Sequence, residues 1–496
     1  MKLLIFFSLI PLFTAFLIAL LGRLRTQIGC IMSGVSALLL TGMSVYLMKV
    51  VNLSGLLIYK ISGWAIPLGV CLVADGLTVF MLCIVNLIAF LVVIYSYDYM
   101  RGFTDKWKFY TLFMLMLAGM NGIIVSGDLF NLYIFLEIAS ISAYALVAFG
   151  IEPEDLEASF KYAIMGAIAS IFILLGIALL YSYTSTLNMA DIALIISDKS
   201  GSIFISFVCV LFLAGFGLKA ALVPFHAWLP DAHSSAPSPV SAMLSGVFVK
   251  TLGLYALSRI FFNLFSISSG KVFFALMFFG VLSMVVGALL AMAQTDIKRM
   301  LAYSTISQVG YIAFAFGIGT PLAIAGGLFH ILNHAVSKSL LFLNAGAIEH
   351  VTGTRDINKL GGLNQKAPLV GFTSLFGSMS ISGVPPFGGF WSKLMIITAA
   401  VQAGHIGFSV VAILVSILTL VYYLKFQSFV FFGKIRSGMK ESLKSLHFSM
   451  KFSMVVLAII CLLTGMVFVP QLKFALDSAV NALLVGNGYG AAVVAQ

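Results

Sequence analysis

The stretch GFGLKAALVPFHAWLPDAHSSAPSPVSAMLSGVFVK, residues 215–250, places two lysines and several prolines in largely apolar surroundings. Proline breaks a helix, and a membrane tolerates the break only where protein or a water-filled cavity satisfies the freed backbone groups. A charge near the bilayer centre costs about 2.5–3.5 kcal/mol on the insertion scale, so Lys219 and Lys250 need a functional reason. The stretch therefore predicts an interrupted membrane helix followed by a second helix, each with a buried charge.

The composition of the whole chain agrees with a membrane protein. Of its 496 residues, 61% are hydrophobic and 9% are charged, whereas an ordinary soluble domain carries roughly 25% charged residues. This excludes a soluble enzyme, a secreted disulfide scaffold and a disordered protein. The net charge of +11 arises in short loops without a basic, aromatic-rich run, so nucleic acid is not an expected partner. The five cysteines lack metal-site or redox spacing, and we expect no metal and no cofactor in this chain.

Apolar runs long enough to span a bilayer recur along the chain. They predict an all-α, polytopic membrane protein of about fourteen transmembrane helices. The predicted spans are residues 2–21, 28–48, 74–97, 108–127, 129–151, 160–183, 202–228, 238–262, 271–292, 300–318, 321–346, 368–402, 405–432 and 452–470. Two spans are too long for one straight helix and contain prolines, Pro224 in the first and Pro385 and Pro386 in the second, so both are predicted to be discontinuous. The first run lacks a signal-peptidase site and is predicted to be a retained helix.

The distribution of loop charges predicts the orientation. Loops after odd-numbered helices carry most of the basic residues: Arg23, Arg25, Arg101, Lys106, Lys108, Lys298, Arg299, Arg355, Lys359, Lys366, Lys434, Arg436, Lys440 and Lys444. Loops after even-numbered helices carry Lys49, Lys60, Lys199 and Lys271. The positive-inside rule then predicts a protein of the cell membrane with both termini outside.

Helices 4–8 and 9–13 form two blocks in which Pro224 and Pro386 fall at matching places. Because each block has an odd number of helices, the second block is predicted to be an inverted repeat of the first, a pattern typical of transport sites; the alternative is two unrelated prolines. The predicted division is 1–107 for three N-terminal helices, 108–262 for the first five-helix repeat, 263–432 for the second, and 433–496 for a cytoplasmic loop, a final helix and the tail.

Six charged residues and two histidines are predicted inside the membrane: Glu137, Lys219, Lys250, Lys338, Lys393, Lys425, His330 and His334. An ion pair between Glu137 and Lys219 is the first interpretation, and a static salt bridge between two helices is the alternative. Lysine is a suitable proton carrier once it is desolvated. Lys393 follows the second break as Lys219 precedes the first, which suits an inverted repeat.

His330, His334 and Lys338 are spaced i, i+4, i+8 and form one stripe on a helix. Histidine titrates near neutrality and passes protons through either ring nitrogen; a packing role is the alternative, and a metal site lacks an acidic or cysteine partner. Helix 10 contributes polar residues that are predicted to hold an ordered water chain: Ser304, Thr305, Ser307 and Gln308.

Other charges have simpler interpretations. Lys425 either snorkels to the cytoplasmic boundary or ends the lysine series. Arg259 is predicted to anchor the outer end of helix 8. The acidic run is predicted to be a solvated or subunit-contacting face: Glu152, Glu154, Asp155 and Glu157.

In these features the sequence resembles the antiporter-like subunits shared by respiratory complex I, Mrp-type sodium/proton antiporters and membrane-bound hydrogenases. Besides residues 215–250, the matching stretches are ADGLTVF (74–80), LFNLYIFLEIASISAYALVAF (129–149), TDIKRMLAYSTISQVGY (295–311) and ISGVPPFGGFWSKL (381–394). The resemblance implies fourteen helices with two inverted five-helix repeats. It also implies that Glu137 and Lys219 form the coupling pair, Lys250 the link, the histidines of helix 11 the next carriers and Lys393 the terminal carrier. M-type complex I subunits carry glutamate where this chain has Lys393, which favours the Mrp D-type or hydrogenase subunit.

The predicted function is a proton-translocating subunit, with or without sodium coupling, of a multisubunit membrane complex of the hydrogenase type or a related respiratory type. The alternatives are the D-type component of a stand-alone Mrp-type antiporter, an N- or M-type component of NADH:quinone oxidoreductase, a quinone-binding membrane enzyme and a structural scaffold. Expected partners are further antiporter-like and small membrane subunits, with a hydrophilic redox arm in a redox complex. The chain itself is predicted to carry no redox centre.

Overall fold

The computed structural model describes residues 2–22, 27–197, 202–265, 270–433, 444–466, 470–486 and 488–495, with the backbone alone for 470–472. Several loop charges used for the predicted topology lie outside the described residues: Arg23, Arg25, Lys199, Lys434, Arg436 and Lys440.

Long helices make up most of the described chain. In chain order they are α1 (Leu3–Leu21), α2 (Ile28–Ser54), α3 (Gly76–Tyr99), α4 (Lys106–Val125), α5 (Leu129–Val147), α6 (Pro153–Thr184), α7 (Met189–Ile196), α8 (Ile203–Lys219), α9 (Trp228–Ser235), α10 (Ser238–Leu264), α11 (Gly270–Ala293), α12 (Ile297–Ile318), α13 (Pro321–Thr352), α14 (Pro368–Ser382), α15 (Gly388–Gln402), α16 (Ile406–Phe431), α17 (Phe448–Leu463), α18 (Pro470–Leu484) and α19 (Gly488–Val494). Helix α10 contains π-helical turns at Leu244–Phe248, Lys250–Tyr255 and Arg259–Leu264.

Within the described residues, ten helices are long and apolar enough to cross a membrane. The prediction of a mostly helical, polytopic membrane protein is therefore confirmed. The other predicted spans also contain helix, but α8 and α17 are shorter apolar helices. Helix α13 is long and carries histidines, asparagines and a lysine, and segment 368–402 is divided into α14 and α15.

The all-α prediction missed a small antiparallel sheet between α2 and α3. Strand β1 (Leu57–Lys60) pairs with β2 (Cys71–Ala74), with Leu57 opposite Ala74. The segment joins two long helices outside their apolar spans, where its backbone groups find partners by pairing with each other. Strand β2 also contacts the loop before α5, since the Gly127 N–H donates to the Cys71 carbonyl at 3.0 Å.

Two pairs of loops repeat one backbone pattern. Each pair exchanges two N–H···O=C bonds: Leu129 to Leu187 (2.9 Å) and Met189 to Gly127 (3.0 Å) in the first, Ile297 to Arg355 (3.1 Å) and Ile357 to Thr295 (2.9 Å) in the second. The loop before α5 thus meets the loop after α6, and the loop before α12 meets the loop after α13. In both pairs an aspartate, Asp128 or Asp296, caps the following helix. The two halves of the chain therefore share local architecture.

Both proline-containing segments are interrupted. Pro224 lies between α8 and α9, and Pro385 and Pro386 lie between α14 and α15. Groups freed at the breaks are satisfied by protein: the Val223 N–H donates to Ser283 Oγ (2.9 Å) and the indole N–H of Trp228 donates to the Leu218 carbonyl (3.2 Å). The breaks therefore place polar backbone inside the bundle, where protein groups bind it.

Candidate functional site

Most of the predicted intramembrane residues are buried. Lys250, His330, His334 and Lys338 are 0% exposed, and Lys219 and Lys393 are 4% and 3% exposed. Lys219 lies on α8 and Lys393 on α15, which belong to the two broken segments. Lys250 lies on α10, and the other three residues lie on α13. The other two predicted residues are only partly buried: Glu137 on α5, with 28% of its side chain exposed, and Lys425 on α16.

Glu137 and Lys219 come together between α5 and α8. The Lys219 Nζ lies 4.0 Å from Glu137 Oε1, and it donates a hydrogen bond to Ser140 Oγ at 2.9 Å. The Ser170 hydroxyl of α6 donates to the same carboxylate oxygen. Each of the two charged groups is therefore hydrogen-bonded to a serine. The distance between the groups is at the upper limit for an ion pair.

Lys250 lies on a π-helical turn of α10, and its ammonium group donates to the Ser245 carbonyl. Ser245 Oγ is 2.7 Å from Thr305 Oγ1 on α12. A π turn leaves carbonyls out of the regular ladder and occurs often at functional sites. Here the preceding π turn, Leu244–Phe248, supplies the carbonyl oxygen that binds the lysine.

The stripe on α13 faces three neighbouring helices. His330 Nδ1 lies 2.9 Å from Ser392 Oγ and its Nε2 lies 3.1 Å from Gln308 Oε1. The ring of His334 lies 6.3 Å from that of His330, and neither of its nitrogens has a hydrogen-bond partner in the described part of the chain. His334 interacts electrostatically with Lys250, Lys338 and Lys393. It is the central member of the series.

Lys338 and Lys393 make their hydrogen bonds to neutral oxygens. The Lys338 ammonium donates to the Leu301 carbonyl (2.9 Å) and to Tyr423 Oη (3.0 Å). The Lys393 ammonium donates to the Ser382 carbonyl at the second break and to Ser416 Oγ, both at 3.3 Å.

The polar residues of α12 bind protein groups directly. Ser304 Oγ lies 3.0 Å from Tyr423 Oη, the hydroxyl that also binds Lys338, and Ser307 Oγ donates to the Met284 carbonyl at 3.0 Å. Thr305 connects α12 to Ser245, whose carbonyl binds Lys250, and Gln308 connects α12 to His330. Three of the four thus join the charged series, whereas Ser307 serves helix packing.

The predictions for Lys425 and Arg259, which lie outside the buried series, have different outcomes. The Lys425 ammonium donates to the Met292 carbonyl at the end of α11 (3.1 Å), a contact that favours the boundary interpretation. Arg259 is not a boundary anchor: it is 6% exposed and forms an ion pair with Asp75 at the start of α3. Sequence reasoning could not find this pair because its members lie in distant segments.

Sequence reasoning missed His233. Its ring is 1% exposed, neither nitrogen has a hydrogen-bond partner among the described residues, and it stacks on Phe342 at 5.0 Å. It interacts electrostatically with Lys338, Lys298 and Lys250. The stretch around it is polar and rich in proline, as in a surface loop, but α9 folds into the bundle. Lys298, predicted to be a loop charge, is 2% exposed and donates to the Ser234 carbonyl (3.2 Å).

A polar cavity of about 800 Å³ opens near His233 and Lys298. Its lining combines acidic and basic side chains: Glu152, Glu154, Asp155, Glu157, Asp231, Asp296, Glu349, Lys161, Lys298, Arg299 and Arg355. The predicted acidic run therefore forms one wall of a cavity. Lys298 is both part of its lining and a neighbour of His233.

Comparison with protein-family models gives two matches. Residues 126–419 match the family described as NADH:quinone oxidoreductase/Mrp antiporter, TM. Residues 61–110 match the family described as NADH-Ubiquinone oxidoreductase (complex I), chain 5 N-terminus. The first match covers both interrupted segments and all the predicted carriers.

The chain is similar to curated proteins and solved structures of two kinds. It is 34% identical to the D-type component of the Na(+)/H(+) antiporter of Alkalihalophilus pseudofirmus over 82% of each chain, and 38% identical to the N-type component of the NADH-quinone oxidoreductase of Desulforudis audaxviator over 84% of each. A chain of the Mrp complex from Dietzia sp. DQ12-45-1b superposes with a TM-score of 0.90 at 26% identity, and a chain of the archaeal membrane-bound sulfane sulfur reductase with 0.91 at 31%, each over 99% of both chains. The chain belongs to the NADH:quinone oxidoreductase/Mrp antiporter family of membrane proteins.

Proposed function

We propose that this chain is the antiporter-like subunit of a multisubunit membrane complex and that it moves protons along its buried lysines and histidines. The observation that carries the proposal is the series Lys219, Lys250, His334 and Lys393, which is buried and meets a single carboxylate, Glu137, at one end. A structural scaffold has no need of such a series, because each buried charge weakens membrane insertion.

The hydrogen bonds of the buried lysines are suited to groups that gain and lose a proton. Lys250 and Lys393 bind carbonyl oxygens, which accept from an ammonium group without a fixed counter-charge. A proton added at one member raises the electrostatic cost of a proton at the next, since few ions lie between them to screen the interaction. A change in the Glu137–Lys219 distance would then favour release from Lys250 toward His334 and, through His330, toward Lys393.

We infer fourteen membrane crossings with both termini outside. Loops that follow predicted spans 3, 5, 7, 9 and 11 line the 800 Å³ cavity, whereas loops that follow spans 8, 10, 12 and 14 line a second cavity of about 570 Å³. The two sets of loops thus line different cavities, which supports a single crossing by each broken segment. Loop charge assigns the first cavity to the cytoplasm.

We further infer two inverted five-helix repeats. The matching loop pairs, Asp128 with Asn188 and Asp296 with Asp356, support equivalent positions in the two halves. An odd number of crossings between the equivalent loops inverts the second half.

The family contains both antiporter and quinone oxidoreductase subunits, so the driving force defines two versions of the proposal. In a respiratory complex the redox centres would lie on partner subunits, and in an Mrp-type antiporter a sodium gradient would exchange with protons. The set of co-purifying proteins, together with their iron and nickel content, distinguishes these versions.

Substitution of the coupling pair tests the function. Lys219→Ala and Glu137→Ala are each expected to lower proton transport by the intact complex in vesicles by roughly 100-fold, the scale of a lost proton-transfer group. Lys108→Ala is the matched control, because Lys108 forms an exposed ion pair with Asp105, lies outside the cavity and is expected to leave transport unchanged. Normal transport in both coupling-pair variants, with assembly intact, contradicts the proposal.

A further inference from the structure

We propose that a pocket at the membrane boundary, formed by the start of α2, the end of α3 and the start of α4, binds the headgroup phosphate of an anionic phospholipid. The acyl chains of this lipid lie along α2. The inference is independent of the transport function.

The pocket has a volume of about 370 Å³ and a polar lining. Its six lining residues are Gln27, Cys30, Tyr97, Arg101, Lys106 and Tyr110. They stand at the ends of three helices, where apolar spans give way to loops. The headgroup region of a membrane would lie at the same depth as these helix ends.

Two cations line the pocket, and both keep donors for a ligand. Arg101 contacts Asp98 at 2.8 Å and lies over the ring of Tyr97 at 5.4 Å. Its guanidinium has five N–H groups, so most remain available. Lys106 has no ion pair or hydrogen bond through its ammonium in the described part of the chain. Arginine and lysine around one cavity are suited to phosphate oxygens.

The acid nearest to these cations is already engaged. Asp98 binds Arg101 through one carboxylate oxygen and accepts a hydrogen bond from Ser449 through the other. Asp98 also does not line the pocket. The lining therefore carries two positive charges and, among the described residues, no carboxylate, which favours an anion over a cation.

An apolar strip on α2 begins beside the pocket. Ile31 follows the lining residue Cys30, and Ile31, Val35, Leu38 and Leu39 are 60%, 63%, 55% and 51% exposed. Their i, i+4, i+7, i+8 spacing places them on one face of the helix. A free phosphate ion would contact only the cations of the pocket. A phospholipid would contact the cations through its headgroup and the apolar strip through its acyl chains. Basic pockets between membrane helices on the cytoplasmic side commonly take anionic lipid headgroups.

Native mass spectrometry of the purified intact complex tests the proposal. Phosphatidylglycerol is titrated into the delipidated complex, and the number of retained lipids is compared between Arg101→Gln/Lys106→Gln and unaltered protein. Loss of the two cations is expected to weaken one lipid site by about 25-fold, since a basic side chain at an anionic surface is worth about fivefold. Lys49→Gln/Lys60→Gln is the matched control, with the same charge change at the opposite end of α2 and on β1; it is expected to keep the site.

Two further titrations distinguish a lipid headgroup from free inorganic phosphate as the ligand of the pocket. Phosphatidylcholine is expected to occupy the site at least tenfold more weakly than phosphatidylglycerol, and millimolar inorganic phosphate is expected not to displace the lipid. The proposal is overturned if both double variants retain the lipid equally, if phosphatidylcholine binds as well, if inorganic phosphate displaces the lipid, or if the unaltered complex retains none.

Discussion

At the residue scale the protein holds two kinds of buried cation. Arg259 is neutralised by Asp75 and further tied by Thr78, an arrangement that fixes its charge and joins α10 to α3. Lys338 and Lys393 instead bind carbonyl and hydroxyl oxygens. Removal of one partner of a buried ion pair leaves an uncompensated charge, whereas a lysine bound to neutral oxygens accommodates either charge state. The second kind is suited to proton transfer.

His233 provides a test at this scale. We expect His233→Gln to slow proton transport by the intact complex about tenfold to 100-fold, because glutamine preserves polarity and approximate size but cannot take up a proton. His226→Gln is the control, since His226 lies half-buried in the turn before α9 and has no hydrogen bond to the lysine series in the described chain. The measurement is proton uptake by vesicles across a range of pH.

A purely structural role for His233 makes a different prediction. In that case His233→Gln would lower the amount of assembled complex and leave transport per assembled complex, and its pH profile, unchanged. That result would remove His233 from the proposed pathway.

At the element scale the second broken helix matters because it brings the Ser382 carbonyl to Lys393. The second break ends with Gly389 in the first turn of α15, packed against the end of α14. A methyl group on Gly389 would collide with the Ser380 carbonyl oxygen, and the amide of Asn333 would lie 2.9 Å from it. The two half-helices can approach this closely only because the position has no side chain.

Gly389→Ala is therefore expected to destabilise the second break by about 1–3 kcal/mol, the usual cost of overpacking a well-packed site. Thermal unfolding of the detergent-solubilised complex measures the change. Gly42→Ala is the matched control, because a methyl group there meets nothing within 4 Å. Equal midpoints for the two variants would show that the half-helices separate freely.

At the scale of the whole molecule, the two cavities lie at opposite ends of the inferred membrane-spanning bundle. The cavity of about 800 Å³ gathers loops from both halves of the chain. Its predicted cytoplasmic position places Lys298 and His233 between water and the central lysines. In the proposed function, protons would therefore enter at this end, and Lys393 lies beside the second break.

Cysteine labelling in oriented vesicles tests this arrangement. Lys359→Cys is expected to react only from the cytoplasmic side and Gln402→Cys only from the outside, because the segment between them crosses once despite its break. Glu152→Cys and Ser185→Cys form the control pair on either side of the unbroken α6. Reaction of Lys359→Cys and Gln402→Cys from the same side contradicts fourteen crossings.

The sequence alone was enough to predict the membrane class, the broken segments and most of the buried charged residues. These follow from local quantities: the length of apolar runs, the geometry of proline and the cost of a charge in lipid. The helix stripe of His330, His334 and Lys338 follows likewise from helical spacing.

Tertiary structure decided what each charge touches. Asp75 meets Arg259, Ser140 separates Lys219 from closer contact with Glu137, and the polar stretch around His233 is buried. Such contacts join residues far apart in the chain, and a sequence reports the cost of burying a charge but not the partner that offsets it. The pairing of helices therefore determines which buried charges are fixed and which are free to change.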